Sequence, residues 1–358
     1  MEKALLQENI KKIIGVAIYA PSGDNCQPWR FEVKDNIIFI FDIPEKDTSL
    51  YNWGQRASLV AHGALVENIV IAASHFGYTT QTSLFPDQGK KDLIARVSLN
   101  TTNIKEDPFY PSIAERTTNR RPYTRQLLTI DQRNELLRQA SGIGNTRIVL
   151  IEDEQRKKIL AQTASVNEKI LFENKNMHNF FYDHITWSEQ EDKDKKRGFL
   201  VKTLEIPSRA QVPFKIFKSW RLLRLCNPIM RISDTIAREN AVTYGASSIL
   251  GAIIIPDNSK EAFFNAGRAL QRLWLSATAQ NISFQMLTGI PLMMNNIRAD
   301  GMTDFSQEHI ALIKSTYEKM VAIFNITAND NIAFMFRIGK SDGPSARTLR
   351  SEPLITFL

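Results

Sequence analysis

The chain has 358 residues, 43% apolar and 23% charged, with a formal net charge of +7. That balance excludes a disordered polyelectrolyte, and no run nears the roughly 20 apolar residues that cross a bilayer as a helix. The length accommodates two modest domains or one large one.

The opening residues, Met1-Glu2-Lys3-Ala4-Leu5, lack a basic stretch ahead of an apolar core, so no secretion signal is expected. Cys26 and Cys226 stand far apart without a Cys-x-x-Cys spacing, which predicts a reducing, cytoplasmic setting. His62, His75, His178, His184 and His309 have no metal-ligand spacing, and phosphate-cradling or nucleophile-elbow glycine motifs are absent from the sequence.

Taken in order, Leu5, Leu6, Ile10, Ile13, Ile14, Ala17 and Ile18 recur at helical spacing, predicting a helix over residues 2 to about 19. Pro21 and Gly23 break it. A hairpin follows over residues 31–33 and 37–41, turning at Asp35-Asn36. Between helix and hairpin lies Pro21-Ser22-Gly23-Asp24-Asn25-Cys26-Gln27-Pro28-Trp29, a tight loop rich in hydrogen-bonding groups without a strong acid, base or metal ligand. It suits holding a planar polar ligand, and it would serve equally as a helix-to-strand connector with Trp29 in the core.

A helix over about 55–76, apolar on nearly every side and rich in small residues, should be buried and central. Strands at about 79–84 and 93–99 precede a polar linker over 100–111. Further on, a helix is expected over 130–140 and strands over 147–152, 282–286 and 332–338. The stretch 63–73 has a gapless counterpart at 267–277, and Ser22-Gly23 has a weaker one at Ser141-Gly142. Two units are therefore expected, 1–112 and 113–358, the second carrying a helical, aromatic-rich insertion at about 153–244. That insertion would be either scaffold or lid. Within it, residues 215–224 read as one amphipathic helix with a basic side; most such helices cover a core, and the alternative is a nucleic-acid or membrane-surface role.

Ala20-Pro21-Ser22-Gly23-Asp24-Asn25-Cys26-Gln27-Pro28-Trp29-Arg30-Phe31 resembles the loop of the FMN-dependent nitroreductase superfamily, in which small residues and an Asn precede Gln-Pro-Trp. The resemblance implies an α+β fold of two fused copies, each a mainly antiparallel sheet flanked by helices. It also implies flavin contacts from Ser22, Gly23, Asp24, Asn25 and Gln27. The polar segment holding Arg116, Asn119, Arg120 and Arg121 is similar to the family's phosphate-gripping segment, with Pro122 where a serine is common. Guanidinium forks suit phosphate oxygens. Leu287-Thr288-Gly289 resembles the backbone beside the flavin's reactive ring nitrogen. Pro344-Ser345-Ala346-Arg347 resembles the basic tail of fused members, with Arg347 the first choice for the phosphate and Arg350 the second.

The activity so implied is an FMN-dependent oxidoreductase passing electrons from NAD(P)H to a nitroaromatic, quinone or other conjugated acceptor, with no catalytic side chain singled out. A flavin-sequestering protein without turnover is the alternative. A monomeric pseudo-dimer or a loose homodimer is expected, with neither nucleic acid nor membrane as partner.

Overall fold

The computed structural model describes residues 2–102, 104–299, 304–327 and 329–358. Its first part comprises α1 (Glu2–Ala17), β1 (Trp29–Lys34), β2 (Ile37–Asp42), α2 (Arg56–His75), β3 (Tyr78–Leu84) and β4 (Leu93–Thr101). Short α3 (Tyr110–Glu115) leads to α4 (Ile130–Ala140) and β5 (Arg147–Ile151). Then come α5 (Glu154–Ala164), α6 (Val166–Leu171), α7 (Lys175–Asp183), β6 (Ile185–Thr186), α8 (Glu189–Lys195), β7 (Phe199–Leu200), α9 (Ser208–Ile216), α10 (Trp220–Met230) and α11 (Ile232–Gly245). The remainder is β8 (Ile249–Ile255), α12 (Lys260–Ala279), β9 (Ser283–Leu287), α13 (Gly289–Arg298), α14 (Gln307–Phe324), β10 (Asn331–Gly339) and β11 (Ile355–Phe357).

The fold is α+β, as expected. One sheet runs β11-β1-β2-β4-β3 and the other β5-β8-β10-β9. Setting β11 aside, the two share one plan: first strand against second, second against fourth, fourth against third, all antiparallel. In each, the long central helix, α2 or α12, joins the second strand to the third. The chain end returns to the first sheet, where β11 lies parallel beside β1 with Phe31 opposite Ile355. Helix α3 itself runs across position 112, and β11 joins the first sheet, so the two halves interlock.

Helices α2 and α12 pack together between the sheets, and small residues set how closely. A Cβ on Gly63 would lie 1.9 Å from the Phe264 carbonyl oxygen, and one on Gly267 would lie 2.0 Å from that of Val60. Val60 and Phe264 are as far apart in sequence as Gly63 and Gly267, so the contact is reciprocal, as across a two-fold axis. Beside it, the buried Glu67 carboxylate accepts from Arg268 Nε at 2.8 Å and Arg272 Nε at 2.6 Å. Against the sequence expectation, the stretch Trp53–His75 spanning α2 is long and apolar enough to cross a membrane, with mean hydropathy 1.4, yet 89% of its most apolar window is buried in this core.

Several elements depart from the sequence expectation: α3, α13, α14 and β11 were not anticipated, and two further differences have a clear physical cause. Strand β8 was not anticipated; it is buried along its whole length because both faces of the second sheet are covered. A strand buried on both sides has no alternation to betray it. The single helix expected over 215–224 is instead divided between α9 and α10, which meet at residues 217–219.

Candidate functional site

A cavity of about 1120 Å³ opens between the halves. Its walls come from the loop after α1 (Pro21 to Asp24), α2 (Val60, Ala61), α12 (Leu270, Trp274), the turn from β9 into α13, and the segment between β5 and β8. Of the residues anticipated from sequence, Ser22, Gly23, Asp24, Arg120, Leu287, Thr288 and Gly289 line it. Asn25, Gln27, Arg116, Asn119, Arg121, Arg347 and Arg350 are not in its lining.

The loop owes its shape to more than glycine. Asp24, Asn25 and Gln27 take left-handed backbone angles, with φ of 47°, 54° and 51°, whereas Gly23 does not. Such angles are costly for residues with a Cβ and persist where surrounding contacts impose them. Those contacts are long-range. Asn25 Nδ2 donates to the Leu349 carbonyl at 2.9 Å, and Gln27 Nε2 donates to the Lys196 carbonyl at 2.8 Å. Ser351 N donates to Gln27 Oε1 at 2.9 Å. Asn25 and Gln27 therefore clamp the C-terminal arm and the turn after α8 against the loop.

The arginines sort by counter-charge. Arg121 is paired with Glu205 at 3.4 Å and donates to Ser345 Oγ at 2.9 Å. Asn119 is likewise occupied, donating to Ser283 Oγ at 3.0 Å and the Asp342 carbonyl at 2.7 Å. Arg120, at the cavity wall, donates to the Thr203 carbonyl at 3.2 Å and lies 5.0 Å from the Phe199 ring centre. Arg116, Arg347 and Arg350 gather where the C-terminal arm meets the ends of α1 and α3. Arg116 donates to the Tyr19 carbonyl at 2.8 Å and lies over Trp274, which lines the cavity. Arg350 donates to Asn25 Oδ1 and to the Ala20 carbonyl, and Arg347 to the Ala114 carbonyl at 3.1 Å. Among the described residues, no carboxylate lies within 4.0 Å of any of these three guanidinium groups, and the buried Nε atoms of Arg116 and Arg350 have no partner. Burial, then the charges of Arg350 and Arg347, pushes Arg116 well below its ordinary value; burial brings Arg350 to about 10.

No protein-family model matches the chain. It is 25% identical over 293 residues to an uncharacterized protein of Mycobacterium tuberculosis (strain CDC 1551 / Oshkosh), covering 76% of this chain and 38% of that one. Two further proteins of that organism, provisionally named NAD(P)H nitroreductases, match at 25% over 169 residues (46% of this chain, 50% of the relative) and 24% over 119 residues (33% and 35%). The chain thus spans half or less of the length of these relatives. The likeness is to the nitroreductase superfamily. Solved nitroreductases with bound FMN from Bacteroides fragilis and Desulfitobacterium hafniense align with 68% and 69% of the chain, and with 94% and 96% of their own. Each is 10% identical, with TM-scores of 0.34 and 0.38.

The cavity also holds groups that the sequence did not single out. Asn167 Oδ1 accepts from Tyr51 Oη at 2.7 Å and stands 1.9 Å from where a Cβ on Gly289 would be, so only glycine fits there. Glu168 Oε1 accepts from Tyr244 Oη at 2.9 Å and Asn167 Nδ2 at 3.3 Å, while its buried Oε2 has no partner among the described residues. Burial pushes the Glu168 carboxyl up to about 7. Asp24 rises to about 6 through burial and the neighbouring Asp47, partly offset by His184 and Arg120. Nothing in the local sequence marks Glu168: its setting comes from Tyr51 and Tyr244, distant in the chain.

These shifts have a sign. The folded state holds the Glu168 proton more tightly than the unfolded chain, so its contribution to stability is complete below about pH 4.5 and is lost as pH rises through about 7. Glu168→Gln keeps a neutral, hydrogen-bonding side chain at every pH. Its melting temperature is therefore expected to gain several degrees on that of the wild type between pH 5 and 8. A difference that does not change across that interval would remove Glu168 as a titrating group.

Proposed function

We propose that the chain binds one FMN in this cavity and acts as an oxidoreductase. Electrons would come from NAD(P)H and pass to a small conjugated acceptor, a nitroaromatic or a quinone. The observation that carries this reading is the cluster of buried Arg116, half-buried Arg350 and exposed Arg347, gathered without a counter-carboxylate among the described residues behind Trp274 of the cavity wall. Orphaned, buried guanidinium nitrogens are the complement of a phosphate. The lining offers polar edges from Ser22, Asp24, Thr288 and Asn167, the last filling the space beside the bare backbone of Gly289 that the sequence reading assigned to the flavin. Bound FMN would supply two-electron hydride chemistry, leaving position, charge and water exclusion to the protein. Glu168, neutral at acidic to neutral pH, would hold a proton at the cavity wall.

We further read the chain as two fused copies, 1–112 and 113–358, with residues of about 153–244 inserted in the second. The common strand order and the reciprocal Gly63–Gly267 contact support it. Ser141-Gly142, counterpart of Ser22-Gly23, is exposed and outside the cavity lining, so one complete site is expected. Flavin released from the purified protein should amount to one FMN per chain, in a monomer. Two FMN per chain would overturn the fused-copy reading.

A second reading, a flavin store without turnover, draws on the inserted segment, because Asn167, Phe199, Leu204 and Tyr244 contribute to the wall. Anaerobic stopped-flow reduction by NADH and by NADPH separates the two. Rapid bleaching of the flavin with either donor supports the oxidoreductase; a flavin inert to both supports the store.

A further inference from the structure

The segment formed by α9, α10 and the start of α11 is unlike the rest of the surface. Val212, Ile216, Leu222, Leu225, Ile229 and Met230 are all exposed, Leu225 at 72% and Ile229 at 85%. On α10, Leu222, Leu225 and Ile229 recur at helical spacing and share one outward face, while Leu223 faces the core. Over residues 206–233 there are six basic side chains, Arg209, Lys215, Lys218, Arg221, Arg224 and Arg231, and no acidic one. All six are exposed. Arg209 and Arg231 are paired with Glu239 and Asp234, whereas Lys215, Lys218, Arg221 and Arg224 have no carboxylate within 4.0 Å among the described residues.

We propose that this segment docks the protein onto an anionic lipid surface, with the exposed face of α10 entering the headgroup boundary. An amphipathic helix that presents large aliphatic side chains to water beside unpaired cations is the pattern of an interfacial anchor. Its charge complements acidic lipids, and its apolar side chains would leave water on docking. A core-covering helix, the expectation from sequence, would turn Leu222, Leu225 and Ile229 inward. Here they point out.

The location adds a consequence, one that rests on the redox reading above. The same segment walls the cavity, through Ala210, Pro213, Phe214, Phe217, Met230 and Ile236. Met230 is at once exposed and part of the lining. A lipid-dissolved acceptor of low polarity, such as a long-chain quinone, would reach the cavity past Met230 without crossing bulk water.

Flotation of the whole protein with vesicles tests the docking independently of any flavin chemistry. Vesicles of phosphatidylcholine with a quarter phosphatidylglycerol should carry the protein upward at low salt; phosphatidylcholine alone should carry far less. At 1 M salt, where screening reaches about 3 Å, binding should fall steeply. Arg221→Gln with Arg224→Gln should lower partition roughly thirtyfold. Leu225→Glu with Ile229→Glu should abolish it, and since both side chains are in water, flavin content and melting temperature should not change. Absence of flotation at low salt overturns the proposal. So does a wild-type dimer that Leu225→Glu with Ile229→Glu dissociates without any vesicle binding, which would make this face a contact between copies. If vesicles bind and the flavin is inert to NAD(P)H, the docking stands and the redox reading fails.

Discussion

Replacing Arg116 by methionine or Arg350 by alanine is expected to weaken FMN binding by roughly ten- to more than a hundredfold. A hydrogen bond to a charged partner contributes about 1.5–3 kcal/mol, and each 1.4 kcal/mol is about tenfold in affinity. Riboflavin, which has no phosphate, should lose little with either variant. Fluorescence titration of the apo-protein with both ligands at fixed ionic strength gives the comparison. Arg121→Ala is the control, because the Arg121 charge is already met by Glu205, and it should affect both ligands slightly. Stability should move separately from affinity. Arg116 is a buried charge pushed down by burial and by two neighbouring cations, and methionine keeps contact with Trp274 without the charge. The Arg116→Met apo-protein should therefore melt no lower than the wild type. A variant that melts much lower and loses FMN and riboflavin equally would mean that Arg116 serves the fold.

Much of this architecture is readable from local sequence. The helix over 130–140 has the bounds expected because Thr129 and Gln132 form a capping box that fixes its start. Helices α2 and α12 announce themselves through small residues at matching positions. What was not readable depends on which distant segments meet. In β8, Ile249 to Ile255 form an uninterrupted apolar run, which has no period to distinguish strand from helix. The left-handed backbone at Asp24, Asn25 and Gln27 is held by Leu349, Ser351 and Lys196. Arg116 and Arg121 sit in one polar segment and look alike in sequence; Glu205, brought over by the inserted region, pairs with the second, while the first has no counter-charge among the described residues.

The same dependence on distant contacts governs the second large effect, at the crossing of α2 and α12. Gly63→Ala is expected to destabilise the protein by about 3 kcal/mol or more, the upper end of what overpacking costs. The added Cβ would stand 1.9 Å from the Phe264 carbonyl oxygen and 2.9 Å from its carbon, so no change of rotamer relieves it. The helices must part, and the buried contacts along both loosen together. Gly267→Ala forces the same movement from the other side, through Val60. Once the helices have parted for one methyl group, the second meets less resistance. The double variant should therefore cost clearly less than the sum of the two single ones, a coupling measurable by urea unfolding of all four proteins. Because Val60 and Ala61 of α2 and Leu270 and Trp274 of α12 line the cavity, each single variant should also bind FMN more weakly. Strict additivity, with affinity unchanged, would mean that the two glycines act at separate contacts and that the crossing does not set the width of the site.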